Sequence, residues 1–132
     1  MRVAFATSDG QAVDAHFGST PRLVVYEVDA TGAREASRVE LEAAEEDGNH
    51  DKLEARVAAV TGCAVLYAAA IGPTAAARLR ALGVRAVAAP PGEPLPAVLE
   101  RLVTLLAGTP PPWLRRAMAG RPLGEGLEGA ST

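Results

Sequence analysis

The sequence predicts an α/β fold: a five-stranded mixed sheet of order 3-2-1-4-5, its second strand antiparallel to the rest, with helices on both faces. Three observations predict it. The segments run βββαβαβα along the chain, the alternation expected of an α/β domain. Residues 2–7 and 63–68 are apolar runs without polar alternation, as strands buried on both faces are. The second and third strands are joined by a turn of hairpin length, whereas the fourth and fifth follow helical stretches and so return parallel by right-handed crossovers.

The elements follow in order. Residues 2–7, Arg-Val-Ala-Phe-Ala-Thr, form the first strand, and Ser8-Asp9-Gly10 ends it, since Ser and Asp bond back to local backbone and Gly accepts positive φ. A loop then presents His16 between Ala15 and Phe17 and closes at Gly18. The β-branched run 22–28 is the second strand, Asp29 to Gly32 the turn, and 34–41 a third strand whose charges at Arg34, Glu35, Arg38 and Glu40 suit a sheet edge. The acidic run 42–47 reads as a solvated segment. A helix over 50–61 carries Leu53, Val57 and Val60 on one stripe, with Asn49 or Asp51 as its cap. Gly62 closes it, and 63–68 is the fourth strand. Gly72-Pro73 opens a second helix over 74–82, Gly83 ends it, and 84–87 is the fifth strand. After the turn Pro90-Pro91-Gly92, a third helix starts at Pro94 or Leu95 and runs to Gly108, with Val98, Leu102, Leu105 and Leu106 as its apolar face. The domain is expected to span 1–108. Residues 109–132 read as a Pro- and Gly-rich flexible tail in which Trp113 to Met118 can form one or two helical turns. The topology resembles a ribonuclease-H-like sheet.

The chain has 132 residues, 48% of them hydrophobic but only 4% aromatic, so Ala, Val and Leu must fill one core. A net charge of −3 argues against nucleic acid as a partner, because a basic face normally supplies that affinity. One cysteine permits no internal disulfide, and no apolar run reaches spanning length. The chain is expected to be cytoplasmic, with no membrane partner.

In open α/β sheets ligands sit beyond the carboxyl ends of the parallel strands. The loop 8–18, the turn 69–73 and the turn 89–92 are expected to meet there, the first bringing His16 and the second a helix N-terminus suited to an anion. Spacing alone leaves His16 open between an ordinary loop histidine and a functional one. A two-metal nuclease would need clustered carboxylates; Asp9 and Asp14 lie near the right place, but Ala68, Ala69 and Ala70 complete no set. Cys63 begins the fourth strand, a strand length from His16, and reads as a small core residue rather than its partner. His50, beside Glu45, Glu46 and Asp47, reads as part of a solvated charge cluster. Trp113 either packs on the domain or offers a docking anchor, packing being the commoner outcome. No CxxC, HxxxH or P-loop is present.

The opening Val-Ala-Phe-Ala-Thr-Ser-Asp, followed by Val-Asp-Ala-His16-Phe-Gly-Ser, resembles the signature of the nitrogenase iron–molybdenum cofactor biosynthesis proteins. The likeness continues through Glu46-Asp-Gly-Asn-His-Asp-Lys-Leu53, Gly62-Cys-Ala-Val-Leu-Tyr67, Ile71-Gly72 and Leu82-Gly-Val84, with Trp113-Leu114 also fitting. Within that family the chain is most similar to the NifX-type carriers. The resemblance implies a ribonuclease-H-like fold and a non-catalytic carrier of an iron–sulfur precursor of the cofactor. Its implied partners are the cofactor-synthesising enzyme and a scaffold or apo-nitrogenase protein. It also implies His16 as the metal ligand, with Cys63 ranked below it, and Ser8, Phe17, Gly18, Gly72 and Thr74 completing the cofactor site. The alternative is a small anion- or cluster-sensing regulator of the same fold, outside nitrogen fixation.

Overall fold

The computed structural model describes residues 1–42 and 50–119. Its main sheet has five strands in the order β4-β3-β1-β5-β6, comprising β1 (Arg2–Ala6), β3 (Arg22–Asp29), β4 (Gly32–Glu40), β5 (Val65–Ala68) and β6 (Arg85–Ala88). β1 is the middle strand. It pairs antiparallel with β3, Ala4 opposite Val25, and parallel with β5, Ala4 opposite Leu66. β5 pairs parallel with β6, and β3 antiparallel with β4. In the counting of the sequence reading this is the order 3-2-1-4-5.

Alternation along β1 assigns the two faces. Val3 and Phe5 lie in one apolar cluster with Val65, Tyr67 and the helix α3 (Leu95–Ala107). Ala4 and Ala6 lie in the other with Leu23, Val25, Leu66 and the helices α1 (His50–Val60) and α2 (Pro73–Ala81). The sheet is thus covered on both sides, which explains why β1 and β5 carry no polar alternation. With few aromatics available, the first cluster concentrates them: Phe5 stacks on Tyr67 with ring centres 5.5 Å apart and meets Tyr26 edge-on at 5.8 Å. β4 is the exposed edge expected of its charges, its Arg38–Glu35 pair at 2.9 Å flanking a bulge in the pairing with β3. In the hairpin turn, Asp29 accepts from the amides of Thr31 and Gly32 at 2.8 and 3.1 Å.

Two features differ from the expectation. First, a further two-stranded ribbon pairs β2 (Ala12–Val13) with β7 (Glu93–Pro94). Strands of two residues are too short to show a period. Second, the packed chain does not end at Gly108. Pro112–Met118 form a helix, α4, that buries Leu114 and Ala117 in the cluster under α3. Its stem is the proline run itself: Pro111 stands at the N-cap and Pro112 in the first turn, where a missing N–H costs nothing. The reading of residues from 109 as a flexible tail is therefore corrected for 109–119, while residues 120–132 lie outside the described part. Leu114 is core and not an exposed anchor. Trp113 packs partly buried against the same cluster, with the Arg85 guanidinium 5.8 Å from its ring centre. The acidic segment 43–47 and the cap at Asn49 also lie outside the described residues. No helix among the described residues is long and apolar enough to cross a membrane.

Candidate functional site

The loop after β1 is built by its own polar side chains. Thr7, wholly buried, accepts the Gly10 amide on its hydroxyl at 2.9 Å. Asp9 accepts the amides of Gln11 and Ala12 at 2.8 and 3.2 Å, and these bonds hold its carboxyl below the usual carboxylate range. Asp14 closes the loop by accepting the amide and the hydroxyl of Ser8 at 2.8 and 2.5 Å. Gly10 has φ +80°, a left-handed conformation that favours glycine, and a Cβ there would also displace the mobile end of the Arg38 side chain, 2.5 Å away. The two carboxylates weighed for a nuclease are thus used inside the loop, as acceptors for its own amides and hydroxyls.

Two neighbouring segments fix the loop from outside. On one side the ribbon β2–β7 ties it to the turn before α3: the Gly92 amide donates to the Val13 carbonyl and the Leu95 amide to that of Gln11, both at 2.9 Å. On the other side the loop runs beside the continuation of β5. The Ala69 amide donates to the Ala15 carbonyl and the Phe17 amide to the Ala70 carbonyl, both at 2.9 Å, so that His16 forms an isolated parallel bridge with Ala70. The three segments expected beyond the carboxyl ends of the parallel strands do meet.

His16 is exposed, as is Asp14, between the buried anchors Val13 and Phe17. Phe17 opens a 3-10 turn, Phe17–Ser19, whose Ser19 amide donates to the His16 carbonyl at 3.2 Å. The Phe17 side chain has no exposed surface and packs among Leu23, Leu66 and Leu79. That corrects its expected place among residues touching a cofactor; it roots the loop in the core instead. Gly18 lies in the middle of the turn, and Ser8 is committed to Asp14. Gly72 is the N-cap of α2, two residues beyond Ala70, and supplies no side-chain cap. Pro73 has no N–H, and the first helical bond is that of the Ala76 amide to the Gly72 carbonyl at 2.9 Å. The amides of Thr74 and Ala75 therefore precede the intrahelical ladder and carry the positive end of the helix dipole.

Cys63 lies at the other end of the sheet. Seven residues of extended chain separate it from Ala70, about 20 Å. Only 5% exposed, it packs in the α1–α2 cluster, and burial pushes its thiol up to about 11. A protonated, enclosed thiol is a poor metal ligand. Among the described residues no group of three or more His, Cys, Asp or Glu side chains is placed to hold a metal ion.

One residue of this frame escaped the sequence reading. Arg56 of α1 is 1% exposed, and its guanidinium donates to the Thr20 carbonyl at 2.7 and 3.1 Å, to the Glu42 carbonyl at 2.6 Å and to the Lys52 carbonyl at 2.9 Å. It ties the exit of the His16 loop to α1. Its signal was its spacing, since Leu53, Arg56, Val57 and Val60 are i, i+3, i+4 and i+7 of one stripe.

The chemistry of the site is one exposed imidazole on a preorganised loop, beside open helix amides. The comparisons with known proteins agree on its family. The family model described as dinitrogenase iron-molybdenum cofactor matches residues 1–105. The chain is 40% identical over 123 residues to Protein NifX of Rhodobacter capsulatus, covering 89% of this chain and 77% of that one. It is 42% identical over 119 residues to Protein NifX of Herbaspirillum seropedicae, covering 89% and 82%. Protein NifY of Azotobacter vinelandii is 31% identical over 122 residues, 92% of this chain but 50% of that longer one. The crystal structure of PH0822 shares the fold, with a TM-score of 0.61 at 18% identity over 86% of this chain and 99% of that one. On the family model and these identities, the chain belongs to the dinitrogenase iron–molybdenum cofactor family, as a member of NifX type.

Proposed function

We propose that this protein acts in iron–molybdenum cofactor biosynthesis as a non-catalytic cytoplasmic carrier. It holds an iron–sulfur precursor of the cofactor and passes it from the synthesising enzyme to a scaffold or apo-nitrogenase protein. The observation that carries the reading is the placement of His16: exposed, yet bracketed by buried Val13 and Phe17 and bridged to Ala70 beside the start of α2. The five-stranded mixed sheet supports reading the fold as ribonuclease-H-like, and the loop leaves the sheet where ligands of open α/β sheets sit.

The chemistry suits cargo that must be released. A neutral imidazole is a competent iron ligand, and a single one lacks the chelate that would trap a cluster. The N-terminal amides of α2 favour the negative charge of an iron–sulfur species. His16 with Gly72 and Thr74 would bind the cluster, Ser8 and Gly18 would shape the loop, and Phe17 would anchor it. Remaining metal positions stay open to ligands lent by donor or acceptor.

The test is anaerobic mixing with isolated cofactor precursor, then gel filtration and iron analysis. The wild-type protein should retain iron in a fixed ratio. His16→Ala should keep its circular dichroism spectrum and lose most of that iron. Undiminished retention by a folded His16→Ala protein would overturn the ligand assignment. No retention by the wild type would overturn the carrier reading.

A further inference from the structure

We propose a second ligand site, for a small polyanion bearing two or three carboxylate or phosphate groups, in a cavity between α2, β6 and α4. The cavity has a volume of about 420 Å³ and is lined by Arg80, Arg85 and Arg116 over a floor of Ala76, Val84 and Ala86. That volume suits a small molecule. Each arginine comes from a different element, so the three converge by the fold and not by a run in sequence.

The state of the guanidiniums separates this place from the rest of the surface. The protein carries a net charge of −3, and its other described arginines, Arg34 apart, are occupied. Arg2, Arg22, Arg38, Arg78 and Arg101 pair with carboxylates, Arg56 with backbone carbonyls and Arg115 with the Pro110 carbonyl. Among the described residues, Arg80, Arg85 and Arg116 have no carboxylate partner, and no acidic residue lines the cavity. Three arginines without a carboxylate partner thus border one concavity, and guanidiniums match carboxylate and phosphate by paired N–H donors. Arg85 is held in place over Trp113, so part of the site is preorganised. β6 is also the last strand of the sheet, and alternation aims the amides of Ala86 and Ala88 away from β5 toward that open edge. The site is distinct from the His16 loop: Val84 and Arg85 lie at the amino end of the parallel strands, and His16 beyond their carboxyl ends.

Trp113 is the only tryptophan and reports directly on Arg85. Pyrophosphate and citrate would be titrated separately into the full chain at low salt, followed by Trp113 emission and by amide shifts of residues 80–88. Both probes should give saturable changes, with half-saturation below about 1 mM, weakening as salt rises. Matched chloride should give none. Arg80→Gln with Arg116→Gln, both at exposed positions, should weaken binding at least tenfold, while His16→Ala leaves it unchanged. Pyrophosphate alone binding would assign the site to phosphates, citrate alone to carboxylates. No saturable change with either would overturn the proposal, as would unchanged binding in the double variant. An oligoglutamate peptide binding tenfold more tightly than both would overturn it in favour of an acidic protein segment on the β6 edge.

Discussion

Arg56→Met removes the guanidinium beneath the His16 loop and keeps most of the aliphatic stem. Two effects oppose each other. Burial disfavours the charge and lowers the Arg56 pKa, so an apolar replacement recovers part of that desolvation cost. Against this, the carbonyl of Thr20 loses both donors it has in the structure, and that of Glu42 loses a bond of 2.6 Å. The Lys52 carbonyl is also the i−4 acceptor of α1, so its loss is small. Glu42 is exposed and can take water, whereas Thr20 is wholly buried and its carbonyl is left unpaired. One orphaned buried acceptor costs about 1–3 kcal/mol and a lost bond to a charged donor about 1.5–3 kcal/mol. With the recovered desolvation set against them, a net loss of about 2 kcal/mol is expected. Urea denaturation at neutral pH would measure it as a lower midpoint with unchanged slope. Amide shifts of residues 16–22 should move with it, because Thr20 ends the segment that begins at His16. Arg56→Lys, with a charge but no planar fork, should fall between. A midpoint for Arg56→Met equal to wild type, with unmoved amides, would refute the role given to Arg56.

Two further outcomes follow from the core. Leu114→Ala should cost about 2–5 kcal/mol, as deletion of a fully buried leucine does, and truncation after Pro112 should cost more, since Ala117 is lost with it; thermal melts of both would show it, and a wild-type melting temperature in either would return α4 to a dispensable extension. For Cys63, the folded pKa of about 11 lies above the ordinary thiol value, so the unfolded chain releases its proton first as pH rises. Stability should be level below pH ~8.5 and fall by about 2–3 kcal/mol approaching pH ~11. Cys63→Ala should lessen that limb at modest cost, leaving the share of the buried Tyr67 phenol, which burial also pushes up, and should retain the cofactor precursor; loss of the precursor from folded Cys63→Ala would put the thiol back at the site.

The parts that were legible in the sequence are those whose signal is local. β1 and β5 announce burial by unbroken apolar runs, the edge strand β4 by its charges, and α3 by Val98 and Leu102 on one face. What was not legible depends on pairing across the chain. β2 and β7 are two residues each, and nothing in Ala12-Val13 points to Glu93-Pro94 eighty residues on. The prolines before Trp113 suggest a linker by composition, yet Pro112 is also the best first residue a helix can have, and Leu114 and Ala117 stand three apart as one buried face requires. Composition and position gave opposite answers there, and packing decided for position. Arg56 shows the converse failure. A charge on an apolar stripe is normally placed in solvent, and here the carbonyls of Thr20 and Glu42, brought from outside α1, join that of Lys52 in making its burial tolerable.

The same distinction bears on the site. His16 has no regular structure of its own to hold it; besides the loop's own bonds, Ser8 to Asp14 and Ser19 to His16, it is placed from outside by Ala69 and Ala70 after β5, by Gly92 and Leu95 at the start of α3, and by Arg56 through Thr20. An exposed residue is therefore held from three sides, by the continuation of β5, by the turn into α3 and by the buried Arg56. A ligand on a mobile loop would lose conformational entropy on binding its cargo and regain it on release. A ligand already fixed in place forgoes that loss, and its affinity is then set by the single imidazole and the α2 amides. Transfer can in consequence be governed by what a partner contributes to the open positions, with no rearrangement of the carrier's fold. This is why loosening Thr20 should lower precursor retention even though Arg56 touches no part of the exposed surface at His16.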